Sequence, residues 1–201
     1  MPRRKNTFPD YREGVFLFSK MASVFIVTEK ETCYNQCKQT MERQRKAMQI
    51  ERCIKPPFTV IGKEGSTDDG PGFIQKLWQD ANAHFSQVQY LAQTDASGNP
   101  VGIWGVMSDM SRSYLPWEEN FTKGLYLAGV ECPQEAIPPE GWSKWQVPGY
   151  EYLCITCCGS DTFAQGLAYL AEHHLSLAGA VHDFTCPLTG TNKMFFPIRR
   201  L

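Results

Sequence analysis

The sequence predicts an α+β fold made of two consecutive strand-helix-strand-strand halves, with the helices covering one sheet face. Three observations carry the prediction. The same order of apolar patterns occurs twice along the chain. Short proline and glycine signals recur at an almost constant offset: Pro56-Pro57-Phe58 matches Pro148-Gly149-Tyr150, and Gly65-Ser66 matches Gly159-Ser160. The composition, 42% apolar and 20% charged over 201 residues, is that of a chain with a sizeable buried core rather than a disordered one.

The elements follow in order. Met1 to Gln49 is heterogeneous, with sparse apolar positions, and Glu31 to Gln49 favours helix through its Lys, Arg, Gln and Met content. It is expected to be a basic extension or linker, removable without unfolding the rest, and the folded domain is expected to begin at Ile50. Ile50 to Gly62 reads as a strand broken at Pro56-Pro57, because proline removes a ladder donor. Asp69 or Gly70 is expected to cap a helix with Pro71 at its first position. Phe73, Ile74, Leu77, Trp78, Ala81, Phe85 and Val88 recur at helical spacing, predicting a helix to about Tyr90. Val101 to Ser108 and Lys123 to Glu131 read as strands. Trp142 to Cys158 is a strand interrupted at Pro148-Gly149. Phe163, Ala164, Leu167, Leu170 and Ala171 share one side of a second helix, capped by Ser160 or Asp161. Ala180 to Cys186 and Lys193 to Arg199 are the last two strands.

Charge and composition exclude several functions. The net charge of −1 divides unevenly: Met1 to Gln49 holds ten Lys and Arg against five Asp and Glu, and Ile50 to Leu201 holds ten against sixteen. An acidic domain is a poor phosphate-binding surface and a better one for cations. No apolar window is long enough to cross a membrane as a helix, and the start of the sequence has no export signal core, so a cytoplasmic location is expected. The eight cysteines are then expected to be reduced. Cys154-Ile-Thr-Cys157 lies on a strand, where residues three apart face opposite ways, so no metal site is expected there. No cofactor motif is present. GxSxG, HExxH, a P-loop and a GxGxxG before a helix are all absent.

The chemistry is expected from aromatics gathered around a carboxylate, an arrangement suited to planar or cationic ligands. The chain has five tryptophans, eight tyrosines and twelve phenylalanines. Strand alternation puts Asp183 on one face with Val181 and Thr185, and His182, Phe184 and Cys186 on the other. Met194, Phe196 and Ile198 share a face of the last strand. An aspartate in so apolar a strand is costly to bury without a partner. Glu131, at the end of a strand, is the second candidate carboxylate.

Lys55-Pro-Pro-Phe-Thr-Val-Ile-Gly62, Leu125-Tyr-Leu-Ala-Gly-Val-Glu131, Val147-Pro-Gly-Tyr150, Ala180-Val-His-Asp-Phe184 and Met194-Phe-Phe-Pro-Ile198 follow one another at fitting spacing. Together they resemble the GyrI-like small-molecule-binding domain over about Gln49 to Leu201. That family includes the effector-binding domains of AraC-type and MerR-type multidrug regulators, and stand-alone proteins. The resemblance implies a curved antiparallel sheet with a ligand cleft between the halves. The family's pocket carboxylate, usually a glutamate, falls on Asp183. An aromatic of the last strand, often tyrosine, falls on Phe196. The ligand-binding set expected is Asp183, Glu131, Trp78, Trp104, Trp117, Tyr126, Phe184, Met194 and Phe196, around a planar, apolar, cationic small molecule. The DNA-binding half of those regulators has no counterpart in Met1 to Gln49, so nucleic acid is not expected to be bound by this chain alone; a separate DNA-binding partner is compatible. Some stand-alone relatives hydrolyse reactive cyclopropane-containing genotoxins, and the alternative expectation is such a hydrolase, using Asp183 and Glu131 in the same cleft.

Overall fold

The computed structural model describes residues 49–157 and 159–201; apart from Gln49, the expected basic extension lies outside the described residues. Eight strands form one antiparallel sheet: β1 (Ile50–Lys55), β2 (Phe58–Ser66), β3 (Ile103–Ser108), β4 (Leu125–Cys132), β5 (Ser143–Val147), β6 (Tyr150–Thr156), β7 (His182–Thr185) and β8 (Asn192–Arg200). Helix α1 (Phe73–Ala83) follows β2, the short turn α2 (Glu118–Phe121) precedes β4, and α3 (Thr162–Glu172) follows β6.

The strand order is β1-β6-β8-β7-β3-β4-β2-β5. Exchanging β1 with β5, β2 with β6, β3 with β7 and β4 with β8 gives the same order read backwards. The duplication expected from the proline and glycine signals is therefore a pseudo-two-fold, and its axis passes between β3 and β7. Their pairing has three rungs, Ile103–Thr185, Trp104–Phe184 and Gly105–Asp183, with Trp104 and Phe184 at the centre. Pro56-Pro57 and Pro148-Gly149 separate the first strands from the second ones, as the missing ladder donors require. Each first strand then pairs across the axis, β1 with β6 and β5 with β2.

The two faces of the sheet differ in what covers them. Phe73, Ile74, Trp78 and Ala81 of α1 pack on Ile61, Met107, Tyr126, Ala128 and Val130. Phe163 and Leu170 of α3 pack on Leu153, Ile155, Val181, Met194 and Phe196. The opposite face gathers Phe58, Val60, Trp104, Val106, Leu127, Trp145, Tyr152 and Phe195, all buried.

The first helix differs from expectation at both ends. Helix α1 starts after Gly72, a left-handed N-cap at φ 78°, not after Asp69 or Gly70. Asp69 is occupied elsewhere: its carboxylate accepts the Ser66 N–H at 2.7 Å, closing β2 with a capping box. At its other end α1 stops at Ala83, and Phe85 and Val88 are buried from two 3-10 turns. Among the described residues no helix is long and apolar enough to cross a membrane.

β2 and β4 approach closely because Gly62 stands opposite Gly129. A Cβ on Gly129 would lie 2.3 Å from the Ile61 carbonyl oxygen. Gly129→Ala is expected to lower unfolding free energy by about 1 to 3 kcal/mol through overpacking. Urea denaturation measures it; an unchanged midpoint would mean that the strands separate without cost.

Candidate functional site

Asp183 sits on β7, directly opposite Met194 of β8 and Gly105 of β3. Its side chain lies on the helix-covered face, as strand alternation predicts, because it meets Tyr126, whose neighbours belong to the α1 side. The Tyr126 hydroxyl donates to Asp183 Oδ2 at 3.0 Å and accepts from the Trp78 indole N–H at 3.2 Å. Gly105 makes this possible. A Cβ there would lie 1.8 Å from the Tyr126 hydroxyl oxygen, so only glycine leaves the ring room to reach across β3. Three elements, α1, β4 and β7, thus contribute one chain of donors ending on a carboxylate.

Asp183 is partly buried, and burial raises its carboxyl to about 6, the Tyr126 hydrogen bond opposing the rise. No described cation lies within ion-pair distance of it. It is a carboxylate that accepts one neutral hydroxyl, with Gly105 and Met194 as its strand neighbours.

Trp78, Trp117, Tyr126, Met194 and Phe196 share this face with Asp183. Trp117 anchors through its indole N–H to the Leu125 carbonyl at 3.0 Å and stacks near Phe73. Phe196 lies against Gly166 of α3, where a Cβ would fall 2.2 Å from the ring, and stacks with Phe163 at 6.1 Å.

Glu131, Trp104 and Phe184 are on the other face, so the expectation of a single cleft with two carboxylates is corrected. Along β4, Tyr126, Ala128 and Val130 point to the helices, and Leu127 and Glu131 point away. Glu131 accepts the Trp104 indole N–H at 2.8 Å and the Lys55 ammonium at 2.9 Å. Trp104 packs on Phe58 at 4.7 Å and Phe184 at 4.8 Å. The sheet separates the two carboxylates, and one substrate atom cannot meet both.

The seam between the halves is nearly closed. Met107, Trp117, Phe121, Phe163, Ala180 and Val181 leave about 10 Å³ between them, on the order of one water. Phe121 is the wall contributed by α2. It packs against both helix-side clusters and meets Phe163 edge-on at 5.2 Å. It stands at the end of α2, in which Glu119, Asn120 and Phe121 all have positive φ, at 49°, 57° and 65°. Three consecutive non-glycine residues in that region store strain. Phe121 escaped the sequence reading because it falls between two patterns, and its only signal is that it is an isolated aromatic before Gly124.

No family model matches the chain, and no curated protein is significantly similar to it. Solved structures are. SAV2435, in a structure bound to tetraphenylphosphonium, superposes with a TM-score of 0.54 at 12% identity, covering 75% of this chain and 94% of that one. EcmrR, in a complex with DNA, superposes at 0.50 with 10% identity, covering 84% of this chain and 64% of that one. At such identities the likeness concerns the fold. The fold is the duplicated α+β architecture implied by the GyrI-like resemblance.

The Asp183 environment has a consequence for stability. Its folded pKa, about 6, lies above that of an unfolded aspartate, so the folded state holds the proton more tightly. The associated stability is complete below the unfolded pKa and is lost as pH rises through about 6. Asp183→Asn is therefore expected to be more stable than the parent at pH 7, by about 1 to 3 kcal/mol, with the difference closing below pH 4. Thermal unfolding across that pH range tests it; a variant less stable at pH 7 would overturn the sign.

Proposed function

We propose that this chain binds planar, apolar, cationic small molecules in the seam between its two halves, as a cytoplasmic effector-sensing or sequestering module. The carrying observation is Asp183: a partly buried carboxylate with one neutral donor and, among the described residues, no cation, on the sheet face that also carries Trp78, Trp117, Tyr126 and Phe196. Such a group is costly to ionise alone and is relieved by a delocalised cation, whose weak hydration makes its own transfer inexpensive. Trp78, Trp117, Tyr126 and Phe163 supply faces for stacking and cation–π attraction. Tetraphenylphosphonium in the SAV2435 structure is an apolar, weakly hydrated cation, tetrahedral as a whole but presenting planar phenyl faces, and it is the natural probe. A separate DNA-binding partner would convert binding into regulation, and EcmrR in its DNA complex is consistent with that arrangement.

Entry requires Phe121 to leave the seam. The strained α2 turn is the segment to move, since releasing three left-handed residues offsets part of the cost of opening.

Tryptophan fluorescence titrated with tetraphenylphosphonium is expected to give saturable binding. Affinity is expected to be level above about pH 7 and to weaken by about tenfold per unit well below pH 6, as Asp183 becomes protonated. Asp183→Asn should weaken binding and abolish that pH dependence. No saturable response from folded protein would sink the proposal.

Phe121→Ala tests the gate separately. It is expected to speed association and to tighten binding, because the plug no longer competes with the ligand. Weaker binding would instead make Phe121 a contact for the ligand.

A further inference from the structure

Cys154 and Cys157 are close in sequence but lie on opposite sides of the sheet. Cys157 packs with the α3 cluster, and Cys154 with Tyr152 and Phe195 on the reverse face. The neighbour that the fold gives Cys154 comes from the other half. β1 runs antiparallel to β6, with Cys53 opposite Tyr152 and Glu51 opposite Cys154. Cys53 and Cys154 are therefore diagonal neighbours on one face. Cys53 packs against the cluster that holds Cys154. It is partly exposed, and Cys154 is buried.

The two thiols are unlike. Cys154 donates its S–H to Cys53, and this hydrogen bond holds the Cys53 thiol below its usual range. The charges of Lys193 and Lys55 act in the same direction, against burial and the charge of Glu51. The Cys154 thiol is pushed up by the same hydrogen bond and by burial. Lys193 is held beside the pair by its ion pair with Glu51. One sulfur is thus an accessible nucleophile favoured as thiolate, and its neighbour is a shielded thiol. Attacking and resolving cysteines divide their roles in this way.

We propose that Cys53 and Cys154 are a peroxide-responsive pair, whose reversible disulfide joins the two halves on the sheet face opposite Asp183. The Cys53 thiolate attacks one oxygen of hydrogen peroxide, and the O–O bond breaks. Cys53 becomes a sulfenic acid, and the departing hydroxide takes up a proton to become water. The Cys154 sulfur then attacks the Cys53 sulfur. The S–S bond forms, the S–O bond breaks, and the Cys154 proton leaves with the oxygen as a second water. Two thiols are oxidised by two electrons, and one peroxide is reduced to two waters. Diagonal neighbours have Cα atoms about 7 to 8 Å apart, slightly more than the ~7 Å that a disulfide spans without backbone movement. β1 can supply that movement, because among the described strands it is a sheet edge paired only with β6. A transient bond of this kind is compatible with a reducing compartment. It requires no ligand in the seam, so it stands apart from the proposed function.

Treating the reduced full chain with one equivalent of hydrogen peroxide, then mapping its cysteines by tandem mass spectrometry, tests this. A predominant Cys53–Cys154 cross-link is expected, removed by dithiothreitol. Oxidation is expected to raise the thermal midpoint by roughly 5 to 15 °C, because the bond closes a loop of about 100 residues. In Cys154→Ala, Cys53 is expected to stop at the sulfenic acid and to be trapped by dimedone. In Cys53→Ser, Cys154 is expected to remain a thiol, and the midpoint shift to disappear. Cys154 is buried, so if Cys154→Ala does not fold, the parent cross-link and Cys53→Ser decide. An unmodified Cys53, cross-links that leave out either residue, or an oxidised Cys53 beside a free Cys154 in the parent would each overturn the proposal.

Discussion

The two halves of this molecule are joined by the antiparallel pairing of β3 with β7, and most of the architecture depends on it. The pairing has three rungs. It sets the pseudo-two-fold, brings Gly105 opposite Asp183, and stacks Trp104 near Phe184 on the reverse face. Alone it would be a short ladder. The exchange of β1 and β5 across the axis supports it, since each half then contributes an edge strand to the other. Separating the halves means breaking those pairings too, and with them the burial of Phe58 and Tyr150 beside the corners.

The sheet treats two of its buried or partly buried carboxylates, Glu131 and Asp183, differently. Glu131 receives an ammonium and an indole N–H, both below 3 Å. Asp183 receives one tyrosine hydroxyl. Hydrogen bonds from a charged donor are roughly twice as strong as neutral ones. Among the described residues Glu131 is consequently compensated by a cation, and Asp183 is not. Residual electrostatic cost of that kind is what a stable fold avoids unless the site has a use, which is why Asp183 rather than Glu131 carries the functional reading.

Much of the fold was legible because it rests on local rules. The proline corners, the alternation around Asp183 and the repeated element order all follow from chain geometry. The helix after β2 was read too long because Phe85 and Val88 are buried in 3-10 turns, which satisfy the same three-residue spacing as an α-helix. The candidate site was legible only in part. Alternation gives the face of a residue within its own strand. It does not relate Glu131 on β4 to Asp183 on β7 without the registers through β3, and these are tertiary. Gly105 is a glycine in a strand whose meaning is apparent only once Tyr126 is seen filling its missing side chain.

A closed seam is what the physics of an unliganded apolar cleft requires. A dry void of about 300 Å³ would cost roughly 7 kcal/mol by cavity-volume scaling, a large share of the total stability of a small domain. The seam is instead closed by packed side chains, Phe121 among them, which stands at the end of three left-handed residues in α2. Strain of about 1 to 3 kcal/mol per residue, about 3 to 9 kcal/mol over the three, is comparable to the cost of the void it replaces, and it is confined to one exposed turn. A ligand that displaces Phe121 then fills the cavity with its own atoms, relieves the turn and supplies Asp183 with a counter-charge. An apolar neutral molecule achieves the first two. On the proposed function only a cation achieves all three, which is why that reading joins a requirement for charge to one for shape.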